Sequence, residues 1–122
     1  MTAFVLPFKI LVVLIALEHL WFFVLEAFLW RKPIGRKTFG TTQEFADATA
    51  ALAANQGLYN GFLAAGLVWS LFADPAGASR IAEFFLGCVA VAGVFGAFTV
   101  SGRIFWIQAL PALVALGLSL FR

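Results

Sequence analysis

The stretch that decides the fold is residues 4–30, FVLPFKILVVLIALEHLWFFVLEAFLW. At about 1.5 Å per residue, a helix of this length exceeds the roughly 30 Å hydrocarbon core of a bilayer. Pro7 fits a first helical turn, and Lys9 can carry its ammonium back to the near interface. Trp30 with Arg31 and Lys32 reads as an interfacial anchor at the other end. A secretory signal has an apolar region of about 7–15 residues followed by a small-residue cleavage site. This run is longer, has no such site before the first loop, and carries Glu18, His19 and Glu26. It is therefore expected to be a retained first membrane helix.

The rest of the chain has the same character. Of 122 residues, 63% are apolar and 11% charged, and the mean hydropathy is +1.00. Soluble domains carry roughly 25% charged residues, so this chain lacks the polar surface that water requires. The net charge of +2 is concentrated in one segment, Arg31, Lys32, Arg36 and Lys37. That pattern speaks to membrane topology, not to nucleic acid, for which basic stripes interleaved with aromatics are missing. Cys88 is the single cysteine, so no internal disulfide can form.

Three further helices are predicted. Pro33, Gly35 and Gly40 punctuate a first loop. Thr41 followed by Glu44 has capping-box spacing, Thr as N-cap and Glu three residues on, which starts a second helix near Thr42. Its polar first turns precede an embedded part from about Leu52 to Phe72, and Asp74, Pro75 and Gly77 end it. A third helix follows near Arg80 to Val100. Ser101, Gly102 and Arg103 make a tight turn into a fourth, which carries Pro111. The expected fold is all-α: an antiparallel up-down bundle of four transmembrane helices with short loops. Residues 1–122 form one integral membrane domain with helices at about 4–30, 42–73, 80–100 and 103–121. Basic residues near span ends set orientation. The first and third loops hold Arg31, Lys32, Arg36, Lys37 and Arg103, against Lys9, Arg80 and Arg122 on the other side. Both loops are expected in the cytoplasm and both termini outside, in a multi-pass protein of the cell (inner or plasma) membrane.

Polar groups at membrane depth are costly, at least about 2.5–3.5 kcal/mol for a charge at the bilayer centre. Those that persist usually face a bundle interior and mark a functional site. The first helix has Glu18, His19 and Glu26, the second Asn55, Gln56, Tyr59 and Asn60, and the fourth Gln108. Counting helical rise places Glu26, Asn55, Gln56, Asn60 and Gln108 in one leaflet, with Glu18 and His19 roughly 10–12 Å deeper. His19 and Glu26, seven apart, share a face, as do Gln56 and Asn60, four apart. Glu18 and His19 are the candidate catalytic pair. Burial penalises the charged form of each and pairing restores it, which gives a couple able to exchange a proton. Glu26, Asn55, Gln56, Asn60 and Gln108 are the candidate ligand-binding groups. Amides of this kind also serve as interhelical glue. Metal ligands on a helix usually stand three or four apart, whereas Glu18 and His19 diverge by about 100°, so no metal site is assigned.

Gly57, Gly61 and Ala65 repeat every four residues, as do Ala92 with Gly96 and Gly93 with Ala97, a pattern for close helix contact. Its use is bundle packing or a homo-oligomer interface. Pro111 leaves the carbonyl of Ile107 without its helical donor, beside Gln108.

The runs ALEHLWFFVLE (16–26), RKTFG (36–40), LAANQGLYNGFLAAGL (52–67) and QALPALVAL (108–116) resemble domain-of-unknown-function family 1304, small bacterial and fungal membrane proteins. The resemblance covers nearly the whole chain and implies a four-span membrane protein of about this length, with no established activity. Its motif residues fall on Glu18, His19, Glu26, Asn55, Gln56, Asn60 and Gln108. Three functional readings follow. The leading one is an intramembrane site that binds or transforms a small lipophilic molecule, with Arg36 and Lys37 attracting an anionic headgroup. The second is a dimeric proton-coupled transporter. The third is a structural accessory subunit. Whether the chain is an enzyme, and with which cofactor, is left open. The partners expected are the bilayer, a lipophilic ligand and another copy of the chain.

Overall fold

The computed structural model describes residues 5–121; Phe4, assigned above to the first helix, and Arg122, counted in the orientation, lie outside them. The described residues form helices and connections with no strand, so the all-α expectation holds. The helices are α1 (Val5–Ala27), α2 (Pro33–Phe39), α3 (Gln43–Phe72), α4 (Pro75–Thr99) and α5 (Leu110–Ser119), with a π-helical stretch at Phe105–Ala109 running into α5. Two of them, α1 and α4, are long and apolar enough to cross a membrane. The 30 residues of α3 have the length, but Asn55, Gln56, Tyr59 and Asn60 dilute their apolar character. The apolar stretch from Phe105 to Ser119 is shorter.

Local boundaries differ from the sequence reading for identifiable reasons. The first loop contains a helix of its own, α2, because Pro33 supplies a pre-set φ at its first turn. Gly40, at φ 68°, ends α2 in the left-handed region and donates its N–H to the Arg36 carbonyl. The cap of α3 is Thr42, not Thr41: Thr42 Oγ1 accepts from the Phe45 N–H at 3.1 Å, while Thr41 Oγ1 is buried without a hydrogen-bond partner. With Thr42 as N-cap, Glu44 falls one residue short of the capping-box position. α4 begins at Pro75 instead of near Arg80, since proline lacks only a donor that a first turn leaves unused. The Asp74 carbonyl accepts from the amides of both Gly77 and Ala78 at 2.9 Å. Before Pro111, the helix takes a wider π turn in which the Leu110 N–H donates to the Phe105 carbonyl. Such one-turn widenings absorb an irregularity inside an α-helix.

The chain divides into two compact units, Leu17–Ala64 and the remainder, Met1–Ala16 with Ala65–Arg122. In the first unit, α1 and α3 touch along the glycine stripe. A Cβ on Gly57 would lie 3.0 Å from Glu26 Cβ and 3.1 Å from the Ala27 amide nitrogen, and one on Gly61 3.2 Å from the Phe23 ring. Trp30 Nε1 donates to Thr49 Oγ1 at 3.1 Å, and its ring lies 5.0 Å from that of Phe39. In the second unit, α4 meets the π stretch closely: a Cβ on Gly93 would fall 2.5 Å from the Ala109 nitrogen. Gly66 has the Phe85 ring against it, and Gly96 has Ile104. Leu67, Leu86, Val89, Ala109, Ala112 and Ala115 are buried there. Gly57, Gly61, Gly93 and Gly96 therefore serve packing inside the chain, while Ala65 and Ala92 are exposed.

Candidate functional site

The unit Leu17–Ala64 holds six of the seven candidate residues. The last turn of α1 presents Glu26 toward α3, whose glycines allow the two backbones to approach. Asn60 then reaches across, its Nδ2 donating to Glu26 Oε1 at 2.5 Å. Both side chains are half-buried. A hydrogen bond to a carboxylate is shorter and stronger than one between neutral groups. This contact, 34 positions apart in sequence, ties α1 to α3 through polar groups.

Glu26 also lines an open-sided cavity of about 520 Å³, together with Ala27, Phe28, Trp30, Arg31, Lys32, Gln43 and Ala50. The volume lies within the usual range of small-molecule sites, about 300–1,000 Å³. Arg31 Nε donates to Asp47 Oδ1 at 2.9 Å, and Gln43 Nε2 donates to the same oxygen at 2.8 Å. These contacts hold the Asp47 carboxyl below its ordinary range, the Gln43 amide first and the Arg31 guanidinium second. The group is exposed, so screening by solvent weakens its contribution to stability. Arg36 Nε donates to the Arg31 carbonyl at 3.2 Å. The cations on the cavity are Arg31 and Lys32. The sequence reading treated Trp30, Arg31 and Lys32 as an interfacial anchor and gave Gln43 no role. The clustering of aromatic and basic residues at the end of α1 was the available signal.

Deeper along α1, His19 is fully buried and edge-on to the Phe22 ring, with centroids 5.4 Å apart. His19 Nδ1 lies 3.8 Å from Glu18 Oε1, longer than a hydrogen bond. Glu18 Oε1 is buried and has no hydrogen-bond partner, although the side chain as a whole is 27% exposed. The two groups are neighbours on successive positions of α1. Asn55 and Gln56 are exposed on α3. Tyr59 is exposed, its ring 6.0 Å from that of Phe62. Gln108 belongs to the other unit and is half-buried in the π-helical stretch. Among the described residues, no three His, Cys, Asp or Glu side chains gather as a metal cluster.

The sequence profile of the family "Protein of unknown function (DUF1304)" matches residues 13–120. The chain belongs to this family. The DUF1304 match includes every candidate residue, from Glu18 to Gln108. The chain is similar to a protein of Lactococcus lactis subsp. lactis (strain IL1403) described as "Uncharacterized protein YpaA". The two are 29% identical over 114 residues, which cover 92% of this chain and 95% of that one. No solved structure matches the chain.

Proposed function

We propose that this DUF1304 chain is a single membrane domain that crosses the bilayer four times and binds a small lipophilic molecule at the α1–α3 cavity. Its spans are α1, α3, α4 and the π stretch with α5. The observation that carries the reading is Glu26, tied to Asn60 across the helix pair and set in the wall of a ligand-sized cavity. Left facing lipid, these groups would be expensive; joined, they satisfy each other and leave one carboxylate oxygen for a ligand. In this reading the α1–α3 and α4–α5 connections face the cytoplasm, where Arg31, Lys32, Arg36, Lys37 and Arg103 collect. Glu18 and His19 are the acid–base pair, and Asn55, Gln56 and Gln108 are further polar contacts for the ligand or its path.

The test is native mass spectrometry of the detergent-purified protein and of Glu26→Gln and Asn60→Leu variants that retain helical circular dichroism. A lipophilic molecule carried by the natural protein and lost from both variants supports the site. An identical complement of bound molecules in all three removes it.

A further inference from the structure

The cavity's walls differ in what they offer, and that difference selects a ligand. Lys32 forms no ion pair among the described residues, whereas Arg31 has its Nε on Asp47. The Gln43 amide is also turned to Asp47. Lys32, with the remaining guanidinium donors of Arg31, therefore makes the anion-attracting edge. The other polar wall is Glu26. Its Oε1 is taken by Asn60, which leaves Oε2 to accept from a ligand donor. Trp30 is fixed by its bond to Thr49 and forms an apolar side with the exposed Phe28 ring.

Order along the membrane normal decides how a ligand lies. Glu26 is in the last turn of α1, and Arg31 and Lys32 follow its end. The acceptor therefore sits on the hydrocarbon side and the cations on the water side. A phospholipid with its chain along α1 brings its glycerol region to Glu26 and its phosphate to Lys32 and Arg31. A diacyl glycerol backbone has ester oxygens there, which only accept and would face a carboxylate. A monoacyl lipid has a free glycerol hydroxyl at that level, which donates.

We infer that the cavity selects a single-chain anionic phospholipid, its phosphate on Lys32 and Arg31 and its free glycerol hydroxyl on Glu26. This rests on the lipophile-binding reading above and specifies its ligand. The phosphate is met by charge and the hydroxyl by a charge-assisted hydrogen bond. A phosphate alone, or an acyl chain alone, satisfies half of the site.

The test titrates four probes against the full-length protein in detergent and reads bound mass by native mass spectrometry. The probes are 1-oleoyl lysophosphatidate, dioleoyl phosphatidate, 1-oleoyl lysophosphatidylcholine and sn-glycerol 3-phosphate. The natural protein should hold lysophosphatidate about tenfold more tightly than phosphatidate. It should hold lysophosphatidylcholine more weakly than lysophosphatidate, and glycerol phosphate not measurably. Lys32→Ala should weaken both anionic lipids alike and preserve their ratio. Glu26→Gln, which loses the charged acceptor for the glycerol hydroxyl, should weaken lysophosphatidate to the level of phosphatidate and so bring the ratio near one. A ratio near one in the natural protein overturns the inference, as does tight binding of free glycerol phosphate. In the first case, if both lipids bind and both are lost in Lys32→Ala, the broader reading survives; if no lipid binds, that reading falls too. Should Glu26→Gln not fold, the ratio in the natural protein still decides.

Discussion

Removing Asn60 should weaken the molecule through Glu26 alone. Asn60→Ala deletes the amide that donates to Glu26 Oε1 at 2.5 Å; Glu26→Ala deletes the acceptor. Because both side chains are half-buried, truncation adds little cavity cost, and the lost bond dominates. Hydrogen bonds between membrane helices average about 0.6 kcal/mol and reach about 1.7, while bonds to charged groups in general are worth roughly 1.5–3. The short distance and the carboxylate acceptor argue for the upper part of the membrane range. A double-mutant cycle over the two alanine variants should therefore give a coupling of about 1–1.7 kcal/mol, read from reversible unfolding in mixed micelles by circular dichroism. The single Glu26→Ala change can have either sign, because it also removes a costly carboxylate; the cycle cancels that contribution. Independent sites add within about 0.3–0.5 kcal/mol. A coupling inside that band would refute the pairing and with it the reason for placing a site beside Glu26.

Gly57→Leu should cost about 1–3 kcal/mol by overpacking, since its Cβ would press on Glu26 Cβ and on the backbone at Ala27 and Phe23. At Gly61 the atoms nearest an added Cβ belong to the Phe23 ring, which can turn, so Gly61→Leu should lower the detergent melting temperature less; equal losses would contradict this packing. The connection from Arg31 to Asp47 should loosen in acid. Asp47 titrates below its ordinary range, so its contribution is present above the unfolded value, about 3.9, and is lost as pH falls through the lower native value. A nitroxide at position 38 should gain mobility below that range, and the Asp47→Asn variant should show no such transition; the same acid transition in Asp47→Asn would assign it to another group.

Much of this was legible in sequence because helix formation and apolar length are local properties. The pairing of Glu26 with an α3 amide was legible too, since cost and depth brought them to one layer. Which amide pairs depends on rotation about α3, and that is where periodicity fell short. Gly57 and Gly61 define the line of contact with α1. At about 100° per residue, Asn60 lies about 80° from that line, Gln56 about 120° and Asn55 about 140°. Only Asn60 remains within reach, although Gln56 sits nearly above it. Thr41 and Thr42 are adjacent equivalents, and only the path out of Gly40 chooses between them. The cavity was hidden because its walls come from a tryptophan anchor, two topology-setting cations and a glutamine in the first turn of α3. None of these is unusual where it stands in sequence.

The claim on which the rest depends is that α3 crosses the bilayer despite its amides. Single cysteines at positions 38, 76 and 102, in a Cys88→Ser background, can be labelled with a membrane-impermeant maleimide from each side of sealed inner-membrane vesicles. Positions 38 and 102 should react from the cytoplasmic face and position 76 from the opposite one. Reaction of positions 38 and 76 from the same face would mean that α3 does not span.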